Sequence, residues 1–180
     1  MSRIFGEIRQ VAYITDDIDR TLTFLQRNAG IGPWFVARGV TLKGVDYRGT
    51  TCDLTIDAAL ANSGSLQVEV IRQHGDTPSM YTEFTDRNGF GLLPQHYSVW
   101  PTACDATLAA AAEAGFEVIQ SGQSAYGPLA YLQHPDQPDF YMEVTELSPE
   151  RRSIFDQVRA AAVDWDGTDP VREGWPTPKV

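Results

Sequence analysis

Residues 95–100, Gln95-His96-Tyr97-Ser98-Val99-Trp100, put His96 and Ser98 on one side of an extended chain and Tyr97 and Val99 on the other, the alternation of a half-buried strand. Three more stretches have the same character: Arg9-Gln10-Val11-Ala12-Tyr13-Ile14, Leu66-Gln67-Val68-Glu69-Val70-Ile71 and Phe140-Tyr141-Met142-Glu143-Val144-Thr145. Each carries one residue able to bind a metal: Gln10, Glu69, His96 or Glu143. A carboxylate or imidazole in the middle of a half-buried strand is costly unless it is paired or metal-bound, so these residues point to one shared polar centre.

Outward from these stretches the chain repeats itself. After the Gln10 strand, Asp16 and Asp17 can cap a helix in which Ile18, Leu22 and Leu25 recur at helical spacing, and Gly30 can end it. A strand over 33–40, a longer one over 47–61, a turn at Asn62-Ser63-Gly64-Ser65 and the Glu69 strand complete the order βαβββ. From His96 the order returns, with a helix over 103–114 and strands near 116–120, 129–133 and 140–145. Placing Gln10 on His96 brings Ile18 onto Cys104, Asp19 onto Asp105, Thr21 onto Thr107 and Leu22 onto Leu108, so internal duplication and facing halves are expected.

The expected class is therefore α+β, two βαβββ modules forming a curved, cup-like mixed sheet, plus a C-terminal helix. The boundaries are 6–75 for the first module, 76–91 for a connection, 92–147 for the second module and 148–180 for the helix and an irregular tail. The connection around Met80-Tyr81-Thr82-Glu83-Phe84 reads first as a surface link and second as a border of the cavity. Ile154, Phe155, Val158 and Ala162 give the last helix an apolar stripe, to pack on the sheet or on a second subunit.

A formal net charge of −10 over 180 residues disfavours nucleic acid or an anionic membrane as a partner and fits a small-molecule substrate. The absence of a membrane-length apolar run and of an apolar leader points to a cytoplasmic protein. Cys52 and Cys104 stand far apart and outside any C-x-x-C pair, which argues against zinc-thiolate or redox chemistry.

Residues two apart on a strand share a face, so Gln10, Glu69, His96 and Glu143 are expected to line the concave side and meet at one divalent ion: zinc, nickel, cobalt, manganese or iron. Trp34, Tyr47, Ser98, Trp100, Tyr126 and Tyr141 are candidates to touch substrate, and Arg48 or Arg72 to meet an anionic group of it.

The Q-V-A-Y-I-T start followed by a D-I-D helix, the L-Q-V-E-V-I strand, H-Y-S-V-W and Y-M-E-V together resemble the vicinal oxygen chelate superfamily, over about residues 6–147. This superfamily includes glyoxalase I, methylmalonyl-CoA epimerase, extradiol dioxygenases and fosfomycin or bleomycin resistance proteins. The texture is most similar to the glyoxalase-like branch near methylmalonyl-CoA epimerase. Strands one and four of each module supply the metal ligands there, which implies Gln10, Glu69, His96 and Glu143 here. The epimerase pattern has His on the first strand and Gln on the fourth, whereas a Gln, Glu, His, Glu set resembles eukaryotic glyoxalase I.

The resemblance implies a metal-dependent isomerase, epimerase or lyase that stabilises an enediolate or enolate of a small carbonyl or thioester substrate, with Glu143 first and Glu69 second as the base. An extradiol ring-cleaving dioxygenase and a non-catalytic binding or resistance protein are the alternatives. A homodimer is the expected assembly.

Overall fold

The computed structural model describes residues 1–179. Strand β1 (Gln10–Ile14) leads into helix α1 (Ile18–Ala29) and strands β2 (Trp34–Tyr47), β3 (Thr50–Ser63) and β4 (Leu66–His74). Helix α2 (Met80–Asn88) precedes the second set, β5 (Pro94–Val99), α3 (Cys104–Glu113), β6 (Glu117–Ser124), β7 (Gly127–His134) and β8 (Gln137–Thr145). Helix α4 (Pro149–Ala161) and a short strand β9 (Val171–Glu173) end the chain.

Local chemistry fixes the helix ends. Asp17 accepts the Arg20 N–H at the start of α1, and Gly30 closes it in the left-handed region at φ 66°. Ile18, Leu22 and Leu25 then pack with Val11, Val68 and Val70 on the outer face of the sheet. On the equivalent face of the second set, Cys104 and Ala111 of α3 pack on Val99, Met142 and Val144.

The register shows why the halves face each other. In the antiparallel pair β1–β5, Gln10 lies opposite Ser98 and Ala12 opposite His96, a reciprocal pattern about a local dyad. Flanking them in parallel, β4 sets Glu69 beside Ala12 and β8 sets Glu143 beside Ser98. Gln10 and His96 are thus dyad mates, as are Glu69 and Glu143. Helices α1 and α3 begin at Ile18 and Cys104, the residues that the internal alignment superposed.

The sheet curves far enough to close. Its strands run β3-β4-β1-β5-β8-β7-β6-β2, and β2 pairs back onto β3. The last step is narrow, since only Asp46 and Tyr47 of β2 pair with Ser121 and Gln120 of β6. Along the same edge, Trp34–Val36 pair with Val171–Glu173 of β9. The edge between these two contacts has no strand partner among the described residues.

Several details differ from the sequence reading. Strand β2 continues to Tyr47, and the hairpin turn is Arg48-Gly49, at φ 50° and 80°, where two positive-φ residues match a tight connection. Gly39 and Gly44 sit at positive φ beside register shifts in the β2–β3 ladder, and their N–H groups are received by Asp57 and Asp53 of β3 at 2.8 Å each. The tail is not wholly irregular, since β9 extends the sheet. The last concerns α2: Met80, Tyr81 and Phe84 are buried in the core cluster enclosed by the sheet, so this segment borders the interior instead of linking across the surface.

Candidate functional site

Inside the sheet lies a cavity of about 210 Å³. Gln10, Glu69, Glu143 and Tyr131 line its deep end. Partly exposed residues, Val40–Leu42 of β2 and Gln123–Tyr126 of the β6–β7 turn, mark its mouth, at the unpaired edge of β2. Most of the wall between is aliphatic or aromatic, including Ile56, Leu60, Leu129, Ile154 and Phe155.

His96 is completely buried at the deep end. Its Nδ1 stands 2.6 Å from Gln95 Oε1; because an amide oxygen only accepts, the ring proton belongs on Nδ1. The Nε2 lone pair is then left facing inward, and it has no hydrogen-bond partner. Glu69 Oε2 lies 3.7 Å from Nε2 and Glu143 Oε2 lies 3.8 Å from it. Burial holds the imidazole down at about 4, although the charge of Glu143 pulls it up, so the ring is neutral at pH 7 and these separations are not ion pairs.

Burial acts on the carboxyls in the opposite sense. It pushes Glu69 up to about 8, against the pull of the Arg151 charge. It also raises Glu143, with His96 opposing and the charge of Glu69 adding to the shift. Gln10 Nε2 donates to Glu69 Oε2 at 2.6 Å and fixes that carboxyl. Gln10, Glu69, His96 and Glu143, singled out from four separate stretches, therefore meet at one place.

They fit a divalent ion by chemistry: an imidazole nitrogen with a free lone pair between two carboxyls is a donor set of the right kind. The spacing is wider than a loaded centre needs. With metal–ligand bonds of about 2.1 Å, adjacent donors stand roughly 3.0–3.4 Å apart, so each carboxyl must close in by a few tenths of an ångström. Accordingly, no group of three or more His, Cys, Asp or Glu among the described residues is already drawn together tightly enough to hold an ion.

Of the residues expected to touch substrate, Tyr126 lines the cavity and the others do not. Trp34 is fully buried outside the sheet under α1. Tyr47 and Tyr141 donate to Glu83 of α2, at 2.5 and 3.1 Å, in a network that also holds Arg48 and ties α2 to the sheet. Trp100 stacks on Phe155 at 4.4 Å between ring centres and receives the Arg9 guanidinium on its ring at 5.0 Å. Ser98 is buried between Gln10 and Glu143 in register, with its hydroxyl unpartnered. Arg48 and Arg72 pair with Glu83 and Asp57, away from the cavity.

The cavity has other polar residues that the sequence reading did not select. Tyr81 and Tyr131 bring their hydroxyls to 3.0 Å, and the Tyr131 ring stands edge-on to His96 with centroids 5.2 Å apart. Arg151, from the first turn of α4, also lines it. A signal existed: Arg151 precedes Ile154, Phe155 and Val158 at helical spacing, so it belongs to the inward stripe.

The profile of the Glyoxalase/Bleomycin resistance protein/Dioxygenase superfamily matches residues 9–131, more than half of the chain, and the chain belongs to that superfamily. Its members commonly use divalent metal ions, and they include both enzymes and binding proteins. No curated protein sequence matches the chain.

Solved structures with the same fold include a hypothetical protein from Bacillus halodurans, with TM-score 0.55, 17% identity, and coverage of 78% of this chain and 93% of the other. Methylmalonyl-CoA epimerase from Mycobacterium tuberculosis gives TM-score 0.55 at 14% identity, covering 83% and 93%. A selenomethionine methylmalonyl-CoA epimerase gives 0.52 at 18%, covering 81% and 98%. At such identities these likenesses establish the fold. Among the described residues no helix is long and apolar enough to cross a membrane.

Proposed function

We propose that this protein is a metal-dependent isomerase, epimerase or lyase of the glyoxalase type, acting on a small carbonyl or thioester compound. The observation that carries this reading is the buried His96 Nε2, without a hydrogen-bond partner, set between Glu69 and Glu143 behind the deep end of a largely apolar cavity. A neutral imidazole with nothing to accept from is costly to bury without a purpose. His96, Glu69 and Glu143 would hold the ion. Gln10 would join them through its amide oxygen, after turning over from its present bond to Glu69, or would bind a water beside them.

A bound divalent ion supplies charge to stabilise an oxyanion beside the reacting carbon. The chain's own residues do the rest. Glu143, which lacks the Gln10 clamp that holds Glu69, is the carboxyl freer to leave the ion and would take the proton next to the carbonyl. The aliphatic walls exclude water, and the paired hydroxyls of Tyr81 and Tyr131 offer a hydrogen-bond donor beside the site.

Elemental analysis of the purified protein is expected to find about one divalent ion per chain, and His96→Ala to lose it. Deuterium wash-in next to the carbonyl of candidate substrates then tests proton transfer. Oxygen consumption in place of exchange would favour a ring-cleaving dioxygenase. Failure of zinc, nickel, cobalt, manganese and iron all to bind would leave a ligand-holding protein.

The titrations give a second test. Between pH 6.5 and 8, His96 is neutral in the fold, where its pKa is about 4, while the unfolded ring, with its pKa at 6.5, loses its remaining half proton and offsets the slope by only about 0.4 kcal/mol. Glu69 is at about 8 when folded and 4.5 when unfolded, so the native state binds the extra proton. Stability of chelator-treated protein therefore falls as pH rises through this window, by about 2 kcal/mol from Glu69 alone. Chemical denaturation at several pH values reads this slope, and loading with zinc is expected to flatten it because the carboxyls are then ionised in the folded state too. A chelated protein whose stability rises or stays level from pH 6.5 to 8 contradicts the protonated carboxyl.

A further inference from the structure

Arg151 is only 5% exposed, yet among the described residues it forms no ion pair, and the carboxylates Glu143 and Glu146 act on it only from farther off. Its guanidinium is held instead by neutral acceptors. Nη2 donates to Ser124 Oγ at 2.7 Å and to the Gly127 carbonyl at 3.1 Å, and Nη1 donates to the carbonyls of Pro128, at 3.4 Å, and Glu146. Such a frame fixes the group in place without cancelling its charge. Burying a cation with no directly paired carboxylate against an apolar wall is expensive, and part of that cost is recovered when an anion enters.

Charge balance across the cavity points the same way. Resting on the metal-centre reading above, a divalent ion neutralises Glu69 and Glu143 together, and Arg151 leaves the enclosed space with one net positive charge. Arg151 sits on the side of the cavity formed by α4, near Ile154, Phe155, Tyr126 and Trp175, so an anionic group drawn toward it lies against aromatic and aliphatic surface.

We propose that this cavity selects carbonyl substrates bearing a single carboxylate, and that Arg151, on the helix that follows the second module, is the fixed charge that reads it. Specificity is then set by a segment outside the stretch that matches the superfamily profile, while the four strand residues at the deep end remain available for chemistry.

The test uses benzoate and its neutral isostere benzamide, titrated calorimetrically into zinc-loaded and into chelator-treated protein. Wild type is expected to bind benzoate roughly tenfold or more tightly than benzamide in both forms. Arg151→Gln is expected to bring the two ligands to parity. Because Arg151 braces four acceptors, that variant can fail to fold. Ser124→Asp is the second variant: it leaves Arg151 in place and puts a carboxylate beside it, and it is expected to abolish the preference as well.

Equal affinities in wild type, no binding of either ligand, or a preference that survives in folded variants overturns the proposal. A preference found only with zinc and unchanged by Ser124→Asp assigns the anion to the metal and also overturns it. The two readings fail separately. Zinc uptake without benzoate preference removes the carboxylate reading alone, and benzoate preference in a protein that takes up no metal removes the isomerase reading alone.

Discussion

Glu143→Gln is expected to slow proton exchange next to the substrate carbonyl by about 10²–10⁴-fold, the usual worth of a positioned general base. The substitution keeps the shape of the side chain and an oxygen that can still face His96, so the fold is retained and metal affinity is weakened but not lost. What disappears is the group that accepts the proton. The measurement is deuterium wash-in by NMR on any carbonyl compound that wild type exchanges, with metal content determined on the same samples. Glu69→Gln is expected to cost less in exchange rate, because Glu69 is already held by Gln10. An exchange rate in Glu143→Gln within a few-fold of wild type at equal metal content assigns the base to another residue.

Trp34→Ala is expected to destabilise the protein by about 3–5 kcal/mol. Trp34 is fully buried among Leu22, Leu25, Val36, Ala59 and Val70, and its removal leaves a hole beneath α1 that these β-sheet and helix residues cannot collapse to fill. Set against a typical total of about 5–15 kcal/mol, the variant has little stability left. Urea denaturation reads the loss. Trp34→Phe, which keeps most of the volume, is expected to be milder and to leave benzoate affinity unchanged, whereas a residue that touched substrate would alter that affinity.

The contrast between Glu143 and Trp34 shows what the amino-acid order reveals and what it hides. Polar residues at alternating positions in apolar strands have few explanations, and Gln10, Glu69, His96 and Glu143 do converge as alternation and internal duplication require. An aromatic residue in a strand has two faces to choose from, and nothing local says which is the core; Trp34, Tyr47, Trp100 and Tyr141 all turned away from the cavity. Tyr81 and Tyr131 could not be paired from sequence, since their hydroxyl contact depends on how α2 docks. Arg151 was hidden by its neighbour Arg152, which makes the pair look like a solvated helix face. Gly39 and Gly44 broke the apparent length of β2 because a bulge and a turn both call for the same backbone freedom.

Strand β2 has one further implication. It is stitched to β3 along one side, and along the other to β9 near its beginning and β6 near its end. One ribbon thus fastens the first repeat, the second repeat and the tail together, and the dyad mates at the deep end come from both repeats. Although the repeats share a plan, neither is self-sufficient: severed between β4 and β5, each fragment would bare two raw sheet margins and half a reaction centre. Two halves of one plan are here joined into a single sheet that does not divide between them.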